Sequence, residues 1–300
     1  MKRLIRALLL AATAAFGLAW SNTPMVAQSG AQACGIDARI LVIAADGTEA
    51  DLPAIRQALE YLGTPYDVYV ATAHSGGLGA STLSSGCRAF YQGVIVTTDG
   101  LFYQSSSGYI SAFSAADFQT LIAFEQAFGI RQVTWYAYPT PDLGFNYPSS
   151  ASAADVSATL TTAGQEVFPY VNSGPGSTPI PIRQAWTYLT TVLDSATVPL
   201  LTDGAGHALA ALHTYPDGRQ NLVMTFDSNQ YLVHAMILSY GLIKWVSGGI
   251  FIGDRHVYMS PQVDDVFIDD MQWLTSTACG TNVDQTGVQQ RITGQDLMAV

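Results

Sequence analysis

Apolar runs alternate with amphipathic segments along the first half of the chain. Runs typical of buried strands occupy residues 39–45, 66–71, 94–97 and 133–138. Between the first two, residues 51–62 place apolar side chains on one helical face. A second helix is predicted to begin after Ser114 and to stop at Gly129. Ser114 and Asp117 have the spacing of a capping box at its start. This alternation predicts an α/β fold with a parallel, doubly wound sheet.

The pattern changes after residue 138. Residues 139–182 are rich in Pro, Gly, Ser and Thr and predict an irregular insertion. Antiparallel strands are predicted at residues 200–201, 207–215 and 219–226. Pro216-Asp217-Gly218 forms the turn of a β-hairpin that extends the sheet. Residues 230–247 predict a long apolar helix, and we place a domain boundary after Gly248. This helix approaches membrane-span length, but packing on the sheet is favoured because no basic flank marks a stop-transfer segment.

The N-terminus has the features of a secretory signal peptide. Lys2, Arg3 and Arg6 precede fourteen apolar residues, 7–20, which are too few for a membrane span. Cleavage is expected after Ala27, with Ala33 or a lipoprotein start at Cys34 as alternatives. Residues 1–27 are therefore predicted to be a signal peptide. The mature protein is predicted to be secreted or periplasmic, without a stable membrane span.

The chain has three cysteines, Cys34, Cys87 and Cys279, and the predicted export makes them candidates for disulfide bonds. Extracellular conditions favour disulfide formation. Cys34 and Cys87 each precede a predicted strand, so both are expected at one end of the sheet. We predict a Cys34–Cys87 disulfide, which leaves Cys279 as the odd cysteine.

Composition narrows the classes of function. The chain has 300 residues, 49% of them hydrophobic, and a formal net charge of −11. Its length is consistent with about two domains. The negative charge argues against nucleic acid or an anionic membrane surface as partner and favours a neutral or cationic ligand. Neither G-x-S-x-G nor G-x-C-x-G occurs, so a nucleophile-elbow enzyme is not supported.

The clearest chemical signal is a cluster of four aspartates within residues 264–270, flanked by apolar sequence. Adjacent carboxylates repel each other, so the Asp264-Asp265 pair indicates a bound cation or a shared proton. A hydrolase uses such a pair to bind a metal and to deprotonate water. The alternative is that Pro261 opens a surface loop whose acids are simply solvated.

Aromatic residues occur near the ends of the third and fourth predicted strands: Phe102, Tyr103, Trp135, Tyr136 and Tyr138. Ligands of open α/β sheets bind at the carboxyl ends of the strands, and flat rings beside Asp suit sugar rings. The alternative is core packing, which we prefer for Trp135. Carbohydrate contacts are predicted near Asp46, Asp99 and Tyr103.

Residues 249–267 resemble the entry into the catalytic domain of the fungal galactosaminogalactan deacetylase family, secreted esterases that act on N-acetylated galactosamine polymers. Residues 291–297 resemble a following segment of the same family. Residues 35–248 are similar to the N-terminal carbohydrate-binding module of that family, whose α/β sheet is amidotransferase- or flavodoxin-like. The resemblance implies that residues 249–300 begin a deacetylase barrel and that the partner is an amino-sugar polysaccharide.

By this resemblance Asp264 is the general base and Asp265 a ligand of a divalent metal, which we expect to be zinc. Two histidines one helical turn apart normally complete the site, and the 300 residues contain no such pair. We therefore expect the N-terminal part of an exported N-deacetylase, truncated within its catalytic domain and inactive alone. The alternatives are a non-catalytic secreted carbohydrate-binding protein and an amidotransferase-like fold with a structural role. An H-x-x-x-H motif downstream in the gene would favour the enzyme.

Overall fold

The computed structural model describes residues 34–250, 253, 260, 270–273, 284–290 and 292–299. The chain divides into two compact units, Met1–Asp254 and Arg255–Val300. Most of the described residues belong to the first unit.

Nine strands in the described part of the first unit form one mixed sheet. In chain order they are β1 Ile40–Ala44, β2 Tyr66–Val70, β3 Gly93–Thr98, β4 Arg131–Tyr136, β5 Val156–Leu160, β6 Ile180–Ile182, β7 Thr197–Thr202, β8 Ala208–Thr214 and β9 Gln220–Met224. Their spatial order is β6-β5-β7-β8-β9-β4-β3-β1-β2.

The sheet has a parallel half and an antiparallel half. Strands β2, β1, β3, β4 and β9 are parallel neighbours. The remaining neighbours pair antiparallel, including the predicted hairpin β8–β9, whose turn uses Gly218 at a φ of 87°. The predicted α/β fold is therefore confirmed as a large mixed sheet.

Helices cover both faces of the sheet. They are α1 Leu52–Leu62, α2 Ala80–Leu83, α3 Ala115–Phe128, α4 Thr162–Val167 and α5 Val233–Val246. Side chains of α1 and α5 share one core with Ile40 and Val42, whereas α3 shares another with Leu41 and Ile43. Alternate residues of β1 thus point into two different cores, which explains its uninterrupted apolar sequence.

The predicted irregular insertion at residues 139–182 is wrong in part. It contains β5, α4 and β6, as well as a short strand, Ser150–Ser152, that pairs with Thr187–Leu189. In β5, Val156, Ala158 and Leu160 alternate with polar residues and pack on the core under the sheet. This period of two is short and set among polar residues, which is why composition concealed it.

Two smaller sheets, one of three strands and one of two, lie in the segments between the parallel strands or before them. Gly35–Ile36 lies beside Arg88–Ala89 in parallel, and Ser84–Ser85 pairs with the latter. This pairing brings Cys34 and Cys87 together, and the predicted disulfide between them is confirmed. Cys279 lies outside the described residues. Phe102–Ser105 and Gly108–Ser111 form a hairpin after β3.

The second unit contains an antiparallel pair, Asp270–Trp273 with Asp284–Gln290, and helix α6, Gly294–Met298. Asp264 and Asp265 lie outside the described residues, so the expected start of a barrel stays a prediction. Across the part of the chain that the structure describes, no helix has the length and apolar character needed to cross a membrane. The apolar helix predicted at residues 230–247 is the 14-residue α5, which packs on the sheet.

Candidate functional site

A cleft of about 460 Å³ opens on the face of the sheet that α3 covers. Its apolar walls come mainly from α3 and from Leu143. The polar side chains that line it are Asp99, Gln132, Thr134, Thr140, Asp142, Tyr215 and Arg219. The cleft is therefore wide enough for a small ligand and offers it both carboxylates and neutral hydrogen-bonding groups.

The cleft forms because α3 and residues 137–145 cover the strands on either side of β4 but leave this face of β4 uncovered. On one side α3 covers β1 and β3. On the other, residues 137–145 pack on Ala211 of β8 and Val223 of β9. The β4 side chains facing the gap are polar: Gln132 Nε2 donates to Thr134 Oγ1 at 3.0 Å. Asn221 Nδ2 of β9 donates to the same oxygen at 3.0 Å. These bonds fix the polar floor of the cleft.

A sharp turn after β3 places Asp99 at the cleft. Gly100 has a φ of 68° and Leu101 a φ of 48°, so two consecutive residues adopt left-handed backbone. A Cβ at position 100 would come within 2.3 Å of the Phe102 ring, which makes glycine necessary there. Leu101 accepts an unfavourable φ while its side chain is fully buried in the α3 core. The turn ends the strand and leaves Asp99 facing the cleft.

Asp99 carries an unusual pKa for an aspartate. Burial, together with the smaller effect of the negative charge of Asp142, raises its pKa to about 6, although a backbone hydrogen bond from Gly100 opposes the shift. A desolvated carboxylate beside a second one is stabilised by a cation. The Asp99–Asp142 pair therefore favours a positively charged group in the cleft.

Arg219 does not neutralise that pair, because other partners hold it. Its Nη1 donates to Glu125 Oε2 at 3.1 Å and its Nε to Asp217 Oδ2 at 2.9 Å. The guanidinium also lies over the Tyr215 ring, 4.3 Å from the centroid. Burial raises the pKa of Glu125 to about 7, although Arg219 opposes the shift. With Arg219 engaged in this way, the cleft keeps an excess of negative charge.

The three residues predicted to contact carbohydrate lie in three places. Asp99 lines the cleft. Asp46 lies in the loop after β1, where its Oδ1 accepts hydrogen bonds from the Thr48 amide at 2.9 Å and from Thr48 Oγ1 at 2.8 Å. Tyr103 lines a separate cleft of about 580 Å³, together with His74 and Asp117. The structure therefore does not bring the three together, and their contact with carbohydrate stays a prediction.

Sequence reasoning missed Asp142, Tyr215 and Arg219. Asp142 lay in the segment interpreted as irregular, and Arg219 was interpreted only as the first residue of a hairpin strand. A usable signal was present in β4, where Gln132 and Thr134 alternate with the apolar Val133 and Trp135. Polar residues on one face of a central strand indicate that this face is not covered by core.

The expected metal site cannot be placed on this structure, since Asp264 and Asp265 lie outside the described residues. Among the residues that are described, no group of three or more His, Cys, Asp or Glu side chains is arranged to hold a metal ion.

Comparisons with known proteins identify the first unit. The crystal structure of Agd3, a novel carbohydrate deacetylase, matches with a TM-score of 0.67 and 22% identity, covering 89% of this chain and 39% of that chain. At that identity the match shows a shared fold, and the present chain spans about two fifths of the matched one. A cold-adapted β-galactosidase from Rahnella sp. R3 matches with a TM-score of 0.41 and 15% identity over 70% of this chain and 32% of that chain.

No curated protein sequence matches the chain. The family model for Agd3 CBM87, by contrast, matches residues 36–245. That range contains the whole mixed sheet, its five covering helices in the described part of the chain, and every residue that lines the cleft. The chain therefore belongs to the Agd3 CBM87 family of carbohydrate-binding modules.

Proposed function

We propose that the first unit binds an amino-sugar polysaccharide and that the cleft beside Asp99 recognises protonated amino groups of a partly deacetylated chain. Membership of a carbohydrate-binding family supports a polysaccharide as ligand. The ligand's charge follows from the cleft, where Asp99 and Asp142 lie together and Arg219 is occupied by Glu125 and Asp217.

The observation that carries the proposal is the Asp99–Asp142 pair in a cleft with a polar floor. An ammonium group placed between two carboxylates relieves their repulsion and gains charge-assisted hydrogen bonds. Gln132 and Arg219 line the same cleft and offer hydrogen-bond donors to ring hydroxyls. The chain's net charge of −11 attracts a cationic polymer at longer range.

The experiment is a calorimetric titration of the chain, expressed without residues 1–27, with partly deacetylated and with fully acetylated hexosamine polymers. Asp99→Asn and Asp142→Asn should each weaken binding of the partly deacetylated polymer by about tenfold, since each removes one charge-assisted hydrogen bond. Affinity should also fall as salt rises, because screening weakens the attraction.

Asp155→Asn is the matched control. Asp155 is an exposed carboxylate paired with Arg183, away from the cleft, and its substitution changes net charge equally. A chain that folds but binds neither polymer would remove the carbohydrate-binding proposal. Equal weakening by all three variants would keep polymer binding and assign it to net charge rather than to the cleft.

The proposal extends to an enzyme that would contain this module. We propose an exported, metal-dependent polysaccharide N-deacetylase in which Asp264 acts as general base and Asp265 binds a divalent metal, zinc in the first instance. The resemblance of residues 249–267 to the family's catalytic entry supports these roles. The 300 residues lack the expected histidine pair, so we predict that they release no acetate alone.

Acetate release from an N-acetylated polysaccharide, with added metal, tests this part. Release above that of Asp264→Ala would contradict the predicted inactivity. The second candidate is a non-catalytic secreted carbohydrate-binding protein. It is favoured if the gene encodes no H-x-x-x-H motif after residue 300.

A further inference from the structure

Three tyrosine rings, Tyr136, Tyr138 and Tyr188, contact one another near the carboxyl end of β4. The exposed Trp186 precedes Tyr188 by two residues in the chain, and we call these four side chains the aromatic platform. The Tyr136 and Tyr188 rings stack with centroids 5.9 Å apart. Tyr138 meets Tyr188 edge-on at 5.1 Å. Tyr138 is 47% exposed and Trp186 44% exposed, so two large rings face solvent, and Tyr138 does so while in contact with the Tyr188 ring.

The backbone under the platform is fixed by pairing between two segments. The Tyr188 amide donates to the Thr225 carbonyl at 2.8 Å, and the Asp227 amide donates to the Trp186 carbonyl at 3.1 Å. The Trp186 amide in turn donates to Asp227 Oδ1 at 2.7 Å. The Asp227 carboxylate therefore lies beside the exposed Trp186 as part of the same arrangement.

A buried chain of hydrogen bonds supports the Asp227 segment from below. Trp135 Nε1 donates to Ser228 Oγ at 2.8 Å. Ser228 donates from both its amide and its hydroxyl to Asp51 Oδ1, at 2.6 and 2.8 Å. Trp135, Ser228 and Asp51 are each at most 3% exposed. The aromatic platform is thus preorganised, which lowers the entropy cost of binding a ligand.

We propose that the aromatic platform is a second carbohydrate-binding site, which takes the apolar face of an uncharged pyranose ring with Asp227 accepting a ring hydroxyl. This inference rests on the proposed function, but it invokes a different surface and a different chemistry. A pyranose presents C–H groups on its faces and hydroxyls at its edge. An exposed ring next to a carboxylate matches both.

None of the platform residues lines the acidic cleft, although the two sites are close along the chain. Tyr138 lies two residues before Thr140, which lines the cleft. Two residues span at most about 7 Å, so one polymer can contact both sites. The platform would then hold N-acetylated units and the cleft deacetylated ones. Simultaneous contact raises the apparent affinity for a mixed polymer.

The test uses a fully N-acetylated hexosamine oligomer at about 1 M salt, where the Debye length is about 3 Å and the contribution of the cleft is screened. Trp186→Ala and Tyr138→Ala should each weaken binding by about tenfold, because each removes a stacking ring. Trp186→Phe should retain most of the affinity, because it keeps an aromatic ring at this position. Tyr147→Ala, at a tyrosine that is 66% exposed outside the platform, is the matched control.

Parent-like binding by both alanine variants would overturn the inference. So would the absence of any binding of the acetylated oligomer by the parent chain. Neither result removes the proposed function if the partly deacetylated polymer still binds in an Asp99-dependent way. Conversely, loss of binding in Asp142→Asn alone, with Trp186→Ala unaffected, assigns all recognition to the cleft and contradicts the platform.

Discussion

At the scale of single residues, three carboxylic acids have pKa values raised to about 6 or 7: Asp51, Asp99 and Glu125. Burial is the largest cause in each case, because a carboxylate loses hydration that the protein does not fully replace. Asp99 is the one of the three that lines the cleft. Asp51 supports the aromatic platform through Ser228. Titration of Asp99 should therefore make ligand binding in the cleft depend on pH, and titration of Asp51 should make the stability of the fold depend on pH.

Binding of a partly deacetylated polymer should weaken as pH falls below about 6. Asp99, whose pKa is about 6, is then protonated and no longer attracts an ammonium group. Asp142, Tyr215 and Arg219 line the same cleft, and protonation of Glu125 behind Arg219 acts in the same direction.

Titrations of the polymer between pH 5 and 7.5 measure this effect. The Asp99→Asn variant should bind more weakly and show a flatter profile, whereas Asp155→Asn should keep the profile of the parent. An unchanged drop in Asp99→Asn would exclude Asp99 as the group responsible.

The buried Asp51 should lower stability as pH rises. Its pKa is about 7 in the folded chain against 3.8 in an unfolded one, so the folded state binds the extra proton between these values. The free energy of unfolding should therefore fall from about pH 4 to pH 7. Asp51→Asn keeps an oxygen for Ser228 and removes the charge. We expect the free energy of unfolding of the variant, minus that of the parent, to increase by about 2–3 kcal/mol from pH 5 to pH 8.

Urea denaturation of both proteins at pH 5 and pH 8 gives this difference. Asp99 and Glu125 titrate in the same direction, so the variant should retain part of the parent's slope. A difference between variant and parent that is equal at both pH values would contradict the account of Asp51.

At the scale of elements, the sequence was informative wherever one pattern controlled a whole segment. The unbroken apolar run gave β1, and α3 begins with the predicted capping box, in which Ser114 and Asp117 exchange hydrogen bonds. The turn between β8 and β9 also lies where Pro216-Asp217-Gly218 predicted it. Local physics is sufficient in these cases, because the signal and the structure lie within a few residues.

The elements missed were those whose stability comes from distant partners. Strand β5 pairs with β7 some forty residues later, and Ser150–Ser152 pairs with Thr187–Leu189. No local pattern predicts such pairing, because tertiary contacts determine it. The same limit applies to the sites, where Asp99 was predicted but its neighbours Asp142 and Arg219 were not.

The confirmed disulfide should contribute measurably to stability. Cys34 and Cys87 are 53 residues apart, and closing so long a loop removes entropy from the unfolded chain. Replacing both with Ser should lower the free energy of unfolding by about 2–4 kcal/mol, measured by urea denaturation under non-reducing conditions. Cys279→Ser should change little, because we predict that Cys279 is free. Peptide mapping that joined Cys279 to Cys34 or Cys87 would contradict this assignment.

At the scale of the whole molecule, charge and topology act together. Twenty-three acidic residues against twelve basic ones give the chain a strongly negative field. The mixed sheet concentrates part of that charge in one cleft, since α3 and residues 137–145 leave β4 uncovered. This concentration of negative charge is what the proposed binding of a cationic polysaccharide requires.

The most direct measurement is a crystal structure of the chain with a partly deacetylated hexosamine oligomer. We predict an amino nitrogen of the sugar within about 3 Å of a carboxylate oxygen of Asp99 or Asp142. An oligomer that binds elsewhere, with both carboxylates left in contact with solvent, would contradict the central claim that this cleft recognises the amino sugar.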